Sequence, residues 1–482
     1  MAEITLTNDQ KRVKDRILDF LSSSDKVFIL KGYAGTGKTT LLRFLIKELD
    51  QRHLYYRLVA PTGRAAKVMA NISESAEGAT TIHSMIYSFS GLEGGEQQQN
   101  NPTVDATGQL ILNFEAVTVD NGVSTVYIVD ESSMIADIEA KDPTQAKFGS
   151  GKLLTELMEY DANPDSKFIF VGDPCQLPPV EQYFSPALMP KYFREHFGVG
   201  VQEEQLTQIM RQDGNNDIVT ASKRIRTLWS QAPESKEYYG ASKLWGKLPF
   251  RNHNNIRFIP NKDSMVSRYV DGINHHGLNH GVIICRTNKA CNELSATIRN
   301  MLGHRHGTIQ EGDLLLVSQN NLLTGLANGD LVVIIGVTDQ VTSMAGMHFR
   351  FIRVRDLATE KEYNTWIIED ILFQALPNLD KRQQTALFTD FIYRMRQQGI
   401  QEKTPAFYDK MMNDPYMNAL RCNYGYAVTC QKAQGGEWEE VYIDMPRNIT
   451  LNPTKPDYQW VYTAMTRART TLHLVDDFFY GW

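Results

Sequence analysis

The segment Gly32-Tyr33-Ala34-Gly35-Thr36-Gly37-Lys38-Thr39-Thr40 constrains the fold more than any other part of this 482-residue chain. An apolar run, Val27-Phe28-Ile29-Leu30, precedes it, and a helical run over 41–46 follows. The spacing G-x-x-x-x-G-K-T between a strand and a helix is that of a phosphate-binding loop. Gly32, Gly35 and Gly37 carry no β-carbon, so the backbone can curl and aim its N–H groups inward. Those amides and the positive end of the following helix attract triphosphate oxygens. Lys38 is placed to reach the β and γ phosphates, and the Thr39 hydroxyl to bind magnesium. Ala34, Thr36 and Thr40 belong to the same nucleotide-binding segment. The loop predicts ATP and Mg2+ as cofactors, but not what the hydrolysis drives.

A chain of this length exceeds one hydrophobic core and predicts several domains. Strands are expected over 56–60, 125–129 and 167–172, alternating with helices, which indicates a doubly wound parallel α/β sheet. A first helix over 10–21 is expected, with Thr7 as its N-cap. A second α/β unit is expected to begin near Val201, with strands at 281–285, 441–443 and 472–475. Between them, close-spaced strands at 312–317, 331–335 and 349–354, with an Asn328-Gly329-Asp330 turn, predict a small β-barrel. Residues 109–114 and 117–119 read as short strands of a second, smaller insert. The expected division is 1–83 and 123–200 for the first unit and 84–122 for its hairpin insert. The second unit takes 201–311 and 422–482, with the barrel and a helical extension at 312–421.

The formal net charge of −6 argues against broad coating of nucleic acid, though a channel can be locally positive on an acidic body. The five cysteines form no C-x-x-C pair, and the N-terminus lacks a secretory pattern, so reduced thiols and a cytoplasmic location are expected. No apolar run is long enough to span a bilayer, so no membrane partner is expected.

Acids end two of the expected strands. Asp130 would hold magnesium, and Glu131 would orient and deprotonate the attacking water. Gln176, after the next strand, has an amide suited to sensing the γ-phosphate. Arg211 and Arg467 could neutralise charge on the transferring phosphoryl group. Both come from the expected second unit, so ATP would lie in a cleft that hydrolysis opens or closes.

In this order the segments resemble the motifs of superfamily 1 helicases of the class that includes RecD, Dda and the Pif-type enzymes. The resemblance runs over nearly the whole chain. It implies two RecA-like motor domains, a β-hairpin insert in the first and an SH3-like barrel in the second. It also implies that Gln10 contacts adenine, that Gly435 and Gly436 lie beside the phosphates and that Glu437 binds the ribose. Pro61, Thr62, Gly63, Thr81, His83, Thr429, Gln431 and Lys432 would contact nucleic acid. Gln431 departs from the family pattern, in which histidine commonly precedes the lysine. Members move 5′ to 3′ on single-stranded DNA and act on duplex forks, and a monomer is the family default. Tyr87, Phe89, Tyr183, Phe184 and Trp438 are candidates for stacking on bases, each weighed against an ordinary core role. The hairpin is the candidate wedge, with Phe89 or Phe114 at its tip. Two alternatives share these motifs: a single-strand translocase that mainly displaces bound proteins, and an RNA helicase. Residues 359–421 match no named motif.

Overall fold

The computed structural model describes residues 5–73, 78–93, 111–120, 122–139, 146–208, 217–374, 376–402 and 404–481. Its first sheet has six parallel strands in the order Ala79–Thr81, Tyr55–Ala60, Thr125–Val129, Lys167–Gly172, Val27–Gly32 and Val201–Leu206. The central strands are apolar on both faces because helices cover both. Along Val27–Gly32, Phe28 and Leu30 face a core shared with Val13, Ile17, Phe20 and Leu41. Val27 and Ile29 face another core, shared with Leu154, Leu157 and Phe193. The expected start of the second unit at Val201 is corrected: Val201–Leu206 pairs in register with Val27–Gly32 and closes the first sheet.

A second parallel sheet runs Ile256–Ile259, Ala468–Val475, Trp438–Ile443, Gly281–Cys285 and Ala427–Thr429. The helix Asp217–Gln231 packs on this unit, through Ile218, Ala221 and Ile225. The fold is therefore mixed α/β with two parallel sheets. Thr7 caps the first helix, Asn8–Leu21, in a reciprocal arrangement with Gln10.

The close-spaced strands form a five-stranded antiparallel sheet in the order Glu362–Ile368, Met347–Asp356, Leu331–Met344, Leu314–Val317 and Cys422–Tyr424. Two of these strands went unread in the sequence. Cys422–Tyr424 pairs with Leu314–Val317, so the insert sheet reaches past the expected boundary at 422. The smaller insert is also larger than expected. Tyr87–Glu93 pairs antiparallel with Ile111–Ala116, and Ala146–Phe148 joins as a parallel third strand from beyond Glu131. Residues 94–110 lie outside the described residues. Phe114 is not a free tip: its ring stacks on Phe148 with centroids 4.8 Å apart. The side chain of Phe89 lies outside what is described.

The antiparallel sheet is pinned to the first unit by one buried ion cluster. Lys67 on helix Gly63–Ser73 reaches Asp330 at 2.5 Å and Asp356 at 2.8 Å, and both carboxylates are almost fully buried. Burial pushes the Asp356 carboxyl up, but Lys67, the Ala358 amide and the Thr359 hydroxyl outweigh it and hold it below the ordinary range. Replacing Lys67 with methionine leaves two buried charges uncompensated, a loss of about 3–5 kcal/mol. The expected result is a clear fall in the thermal-unfolding midpoint at neutral pH. Because the folded carboxyl titrates lower than an unfolded one, the stabilisation is full above the unfolded value of about 3.9 and fades as pH falls through the folded value. Wild type and Lys67→Met should therefore converge in acid. An unchanged midpoint at pH 7 would show that the cluster contributes nothing.

Candidate nucleotide and strand site

The phosphate-binding loop connects the strand Val27–Gly32 to the helix Lys38–Gln51. Gly35 and Gly37 have φ of 79° and 76°, a region that costs a β-carbon dearly. The helix has no side-chain cap at Gly37, so its first N–H groups are open at the positive end of the helix. Lys38 Nζ donates to the Gly32 carbonyl at 2.6 Å and approaches that of Tyr33 at 3.4 Å. The Thr36 hydroxyl, fully buried, donates to the Tyr33 carbonyl at 2.8 Å, and Thr39 is exposed. Gln10 is 1% exposed; its Nε2 donates to the Gly37 carbonyl at 3.1 Å and its Oε1 accepts from Thr7 N at 3.0 Å. One end of that amide thus holds the loop and the other closes the cap of its own helix.

Asp130 and Glu131 follow the buried strand Thr125–Val129. Burial, then the neighbouring Glu131, raises the Asp130 carboxyl to about 6, while the Glu131 N–H and Lys38 work against that rise. Glu131 itself has φ of 49°, an uncommon conformation for a residue with a β-carbon and one that concentrates at functional sites. Gln176 is 4% exposed, and its Oε1 has no hydrogen-bond partner among the described residues.

The second unit reaches this loop through the helix Lys455–Met465, which is buried nearly all round. Tyr462 donates its hydroxyl to Asp173 at 2.7 Å and accepts from Ala34 N at 2.9 Å. Leu177 N donates to the Thr463 hydroxyl at 2.9 Å, and Gln459 Nε2 to the Gln176 carbonyl at 3.0 Å. The Arg226 guanidinium lies 3.9 Å from the centroid of the Tyr33 ring. Sequence reading gave none of Asp173, Arg226, Gln459 and Tyr462 a role. Only the fold shows that Asp173 and Tyr462 meet.

Arg467 is 5% exposed and forms no ion pair among the described residues. It donates to the carbonyls of Thr463 at 3.1 Å and Gly436 at 3.3 Å and to the Thr466 hydroxyl at 3.3 Å. Arg64, half-buried, packs 4.4 Å from the Trp438 ring centroid. Burial first, then the charge on Arg467, pushes Arg64 down to about 10. Asp330 and Asp356 pull the other way on Arg64, while Arg467 itself has no ion-pair partner among the described residues and favours an anion. Arg211, and the Gln212 beside it, lie outside the described residues. Glu437 is half-exposed and accepts from Arg469 Nε at 3.2 Å.

The residues expected along the strand divide into several environments. Gly63 packs against the antiparallel sheet's loop, where a β-carbon would stand 2.0 Å from that of Ala327. Pro61 and Thr62 stay partly exposed, and Thr62 accepts from Ala65 N at 3.3 Å. Thr81 caps the short helix Ile82–Ile86 through Ser84 N at 3.1 Å. The His83 ring meets Phe148 edge-on at 5.1 Å, and burial lowers its pKa. Thr429 is 9% exposed and Gln431 is exposed; burial lowers the pKa of Lys432, which has no acid partner among the described residues. Gly435 faces Ala65, and the Gly436 backbone faces Arg64, so the helix Gly63–Ser73 meets both the second unit and its insert. Two of the stacking candidates take the core role weighed against stacking: Trp438 is buried under Arg64, and Tyr87 is buried with its hydroxyl donating to Glu156. Tyr183 and Phe184 are exposed. All five cysteines are free and buried. No helix among the described residues is long and apolar enough to cross a membrane.

Residues 5–232 match a family model described as an AAA domain, and residues 424–475 match one described as a UvrD-like helicase C-terminal domain. An uncharacterised protein of Acanthamoeba polyphaga mimivirus is 24% identical, over 96% of this chain and 98% of its own length. The ATP-dependent DNA helicase dda of Enterobacteria phage T4 is 22% identical, over 96% of this chain and 98% of its own. In structure, the chain is similar to the Pif1 helicase from Bacteroides in complex with ADP-AlF3 and single-stranded DNA. The TM-score is 0.50 at 15% identity, covering 99% of this chain and 94% of that one.

Proposed function

We infer that this chain, which belongs to the superfamily 1 class B helicases of the RecD, Dda and Pif type and is an ATP-driven DNA helicase, moves 5′ to 3′ along single-stranded DNA and parts the duplex ahead of it. One observation carries the coupling: Tyr462 of the second unit bonds both the Ala34 amide of the phosphate loop and Asp173 beyond the next strand. A nucleotide that displaces the loop must therefore be felt by the second unit.

In this reading Lys38 and the open amides of the loop bind the β and γ phosphates. Burial, and after it the crowding of Asp130 against Glu131, raises the Asp130 carboxyl; a divalent cation would relieve both, and this supports magnesium held by Asp130 and the exposed Thr39 hydroxyl. The cation supplies charge neutralisation at the transferring phosphoryl group. Glu131 orients the water, Gln176 touches the γ-phosphate, and Arg467, with Arg211, balances the developing charge. Gln10 borders the adenine side, and Gly435, Gly436 and Glu437 complete the nucleotide site. Pro61, Thr62, Thr81, Thr429, Gln431 and Lys432 track phosphates, which positions a strand without reading its sequence. The Dda and Pif1 relatives named above support DNA as the polymer.

Opening one base-pair step costs on the order of 1.4 kcal/mol, which a wedge lowers by trapping fraying. The three-stranded insert around Tyr87–Glu93 and Ile111–Ala116 is the proposed wedge. Paired 5′-tailed and 3′-tailed duplexes test the whole reading. With ATP, the 5′-tailed duplex should be unwound and the 3′-tailed one spared. Deleting the insert should stop unwinding and leave DNA-stimulated ATPase in place. Preference for the 3′ tail would reverse the direction, and equal loss of both activities on deletion would remove the wedge.

A further inference from the structure

The helix Asp217–Gln231 of the second unit brings a cation to the phosphate loop. Lys223 and Arg224 on this helix are exposed, whereas Ser222 and Ile225 are buried and Arg226 beside them is half-buried. The Arg226 guanidinium lies 3.9 Å from the centroid of the Tyr33 ring, which places it on the face of that ring. It forms no ion pair and no hydrogen bond among the described residues. Its charge also reaches the segment that carries Gln176. Burial first, then Asp173, pushes the neighbouring Cys175 thiol up, and Arg226 works against both.

Tyr33 is tied in two directions. Tyr33 and Ala34 pack against the core of the second unit. The Tyr33 carbonyl belongs to the loop, where it accepts from the Thr36 hydroxyl at 2.8 Å, from Thr36 N at 3.2 Å and from Lys38 Nζ at 3.4 Å. The second unit thus holds this residue by its side chain, and the residue holds Thr36 and Lys38 by its main chain.

The spacing G-x-x-x-x-G-K-T requires no aromatic residue at this position. An apolar contact with the second unit would be served by leucine. A tyrosine under an unpaired guanidinium adds the attraction of a cation for the ring face, which is stronger away from bulk water. Arginine suits that contact because its planar group stacks flat on the ring. We propose that Arg226 is a positioning residue for ATP turnover that acts through Tyr33, fixing the phosphate loop against the second unit and so setting Lys38 and Thr36 for the triphosphate. Tyr462 holds the next residue by accepting from the Ala34 amide. The stack adds a charge-dependent hold one position earlier. The proposal rests on the loop being the ATP site.

The test measures strand-stimulated ATP turnover of the full chain, with the thermal midpoint as the check on folding. Arg226→Met keeps the length of the side chain and removes its charge. It should lower kcat/KM for ATP by about 3- to 30-fold, the range of a partly desolvated cation–ring pair. Tyr33→Leu should lower it by a similar factor. Tyr33→Phe keeps the ring and should match wild type. Arg226→Lys should recover part of the loss, because an ammonium keeps the charge but not the flat face. The double variant Arg226→Met/Tyr33→Leu should be no worse than either single one, since both remove the same contact.

A role in packing alone predicts Arg226→Met at wild-type turnover, and that result overturns the proposal. A double variant whose loss is the product of the two single losses also overturns it, because Arg226 then acts by a route other than Tyr33. If Arg226→Met does not fold, Arg226→Gln gives the same comparison with a neutral polar side chain. Lys38→Ala separates this proposal from its premise. Turnover that survives Lys38→Ala removes the loop assignment and the stack's role together. A dead Lys38→Ala beside an unaffected Arg226→Met removes the stack's role and leaves the loop assignment standing.

Discussion

Replacing Lys38 with alanine is expected to remove ATP turnover while leaving single-strand binding near wild type. Its Nζ closes over the loop on the Gly32 and Tyr33 carbonyls. In that position it is ready to exchange two neutral acceptors for charged phosphate oxygens, and charge-assisted bonds are the stronger kind. Losing one preorganised donor at a developing charge typically costs about 10²–10³-fold in rate. Here the donor also carries a full charge, so the loss should be at least that large. Strand-stimulated phosphate release measures turnover, and anisotropy measures binding. Substantial turnover in Lys38→Ala would dismantle the assignment of the loop. A parallel loss of strand binding would mean that the side chain holds the loop rather than the nucleotide.

The second large effect belongs to Arg467. Its alanine variant is expected to lower kcat by about 10³–10⁵-fold, the range for an arginine that neutralises a transferring phosphoryl group. The buried guanidinium is held by carbonyls and a hydroxyl, with no carboxylate among the described residues to neutralise it. Arg64, held below its ordinary pKa by burial and by this same charge, adds to the local demand for an anion. Arg467→Lys should recover little, because one ammonium cannot reproduce the planar fork. Pre-steady-state phosphate release checks the chemical step, and nucleotide titration checks binding. A variant within tenfold of wild type in kcat would make Arg467 a structural residue of the motor interface.

Much of the site was legible because its parts are local. The loop from Gly32 to Thr40 needs only neighbouring residues to curl, so spacing alone identifies it. Asp130 and Glu131 end an apolar strand, and strand ends are where parallel sheets present ligands. The Asn328-Gly329-Asp330 turn was readable for the same reason: Gly329 has φ of 96°, and Ala327 N donates to Asp330 at 2.7 Å. Other features depended on partners far away in sequence. Trp438 looks like a stacking residue until Arg64 covers it. Phe114 looks like a wedge tip until Phe148, from beyond the next strand, stacks on it. Val201 looks like the start of a new unit until the strand Val27–Gly32 claims Val201–Leu206 as its neighbour.

The chain by itself determined the two α/β units, the nucleotide loop and the order of the motifs, because each is written in contiguous spacing and hydrophobic period. Tertiary structure alone decided which side chains meet across the units. The bond from Tyr462 to Asp173 and Ala34 spans more than 280 positions, and the Lys67 cluster more than 260. Contacts of that kind leave no periodic trace in sequence, since one partner's burial depends on where the other's element is placed. The guanidinium of Arg421 is the same case: only packing shows that no acid among the described residues comes to meet it.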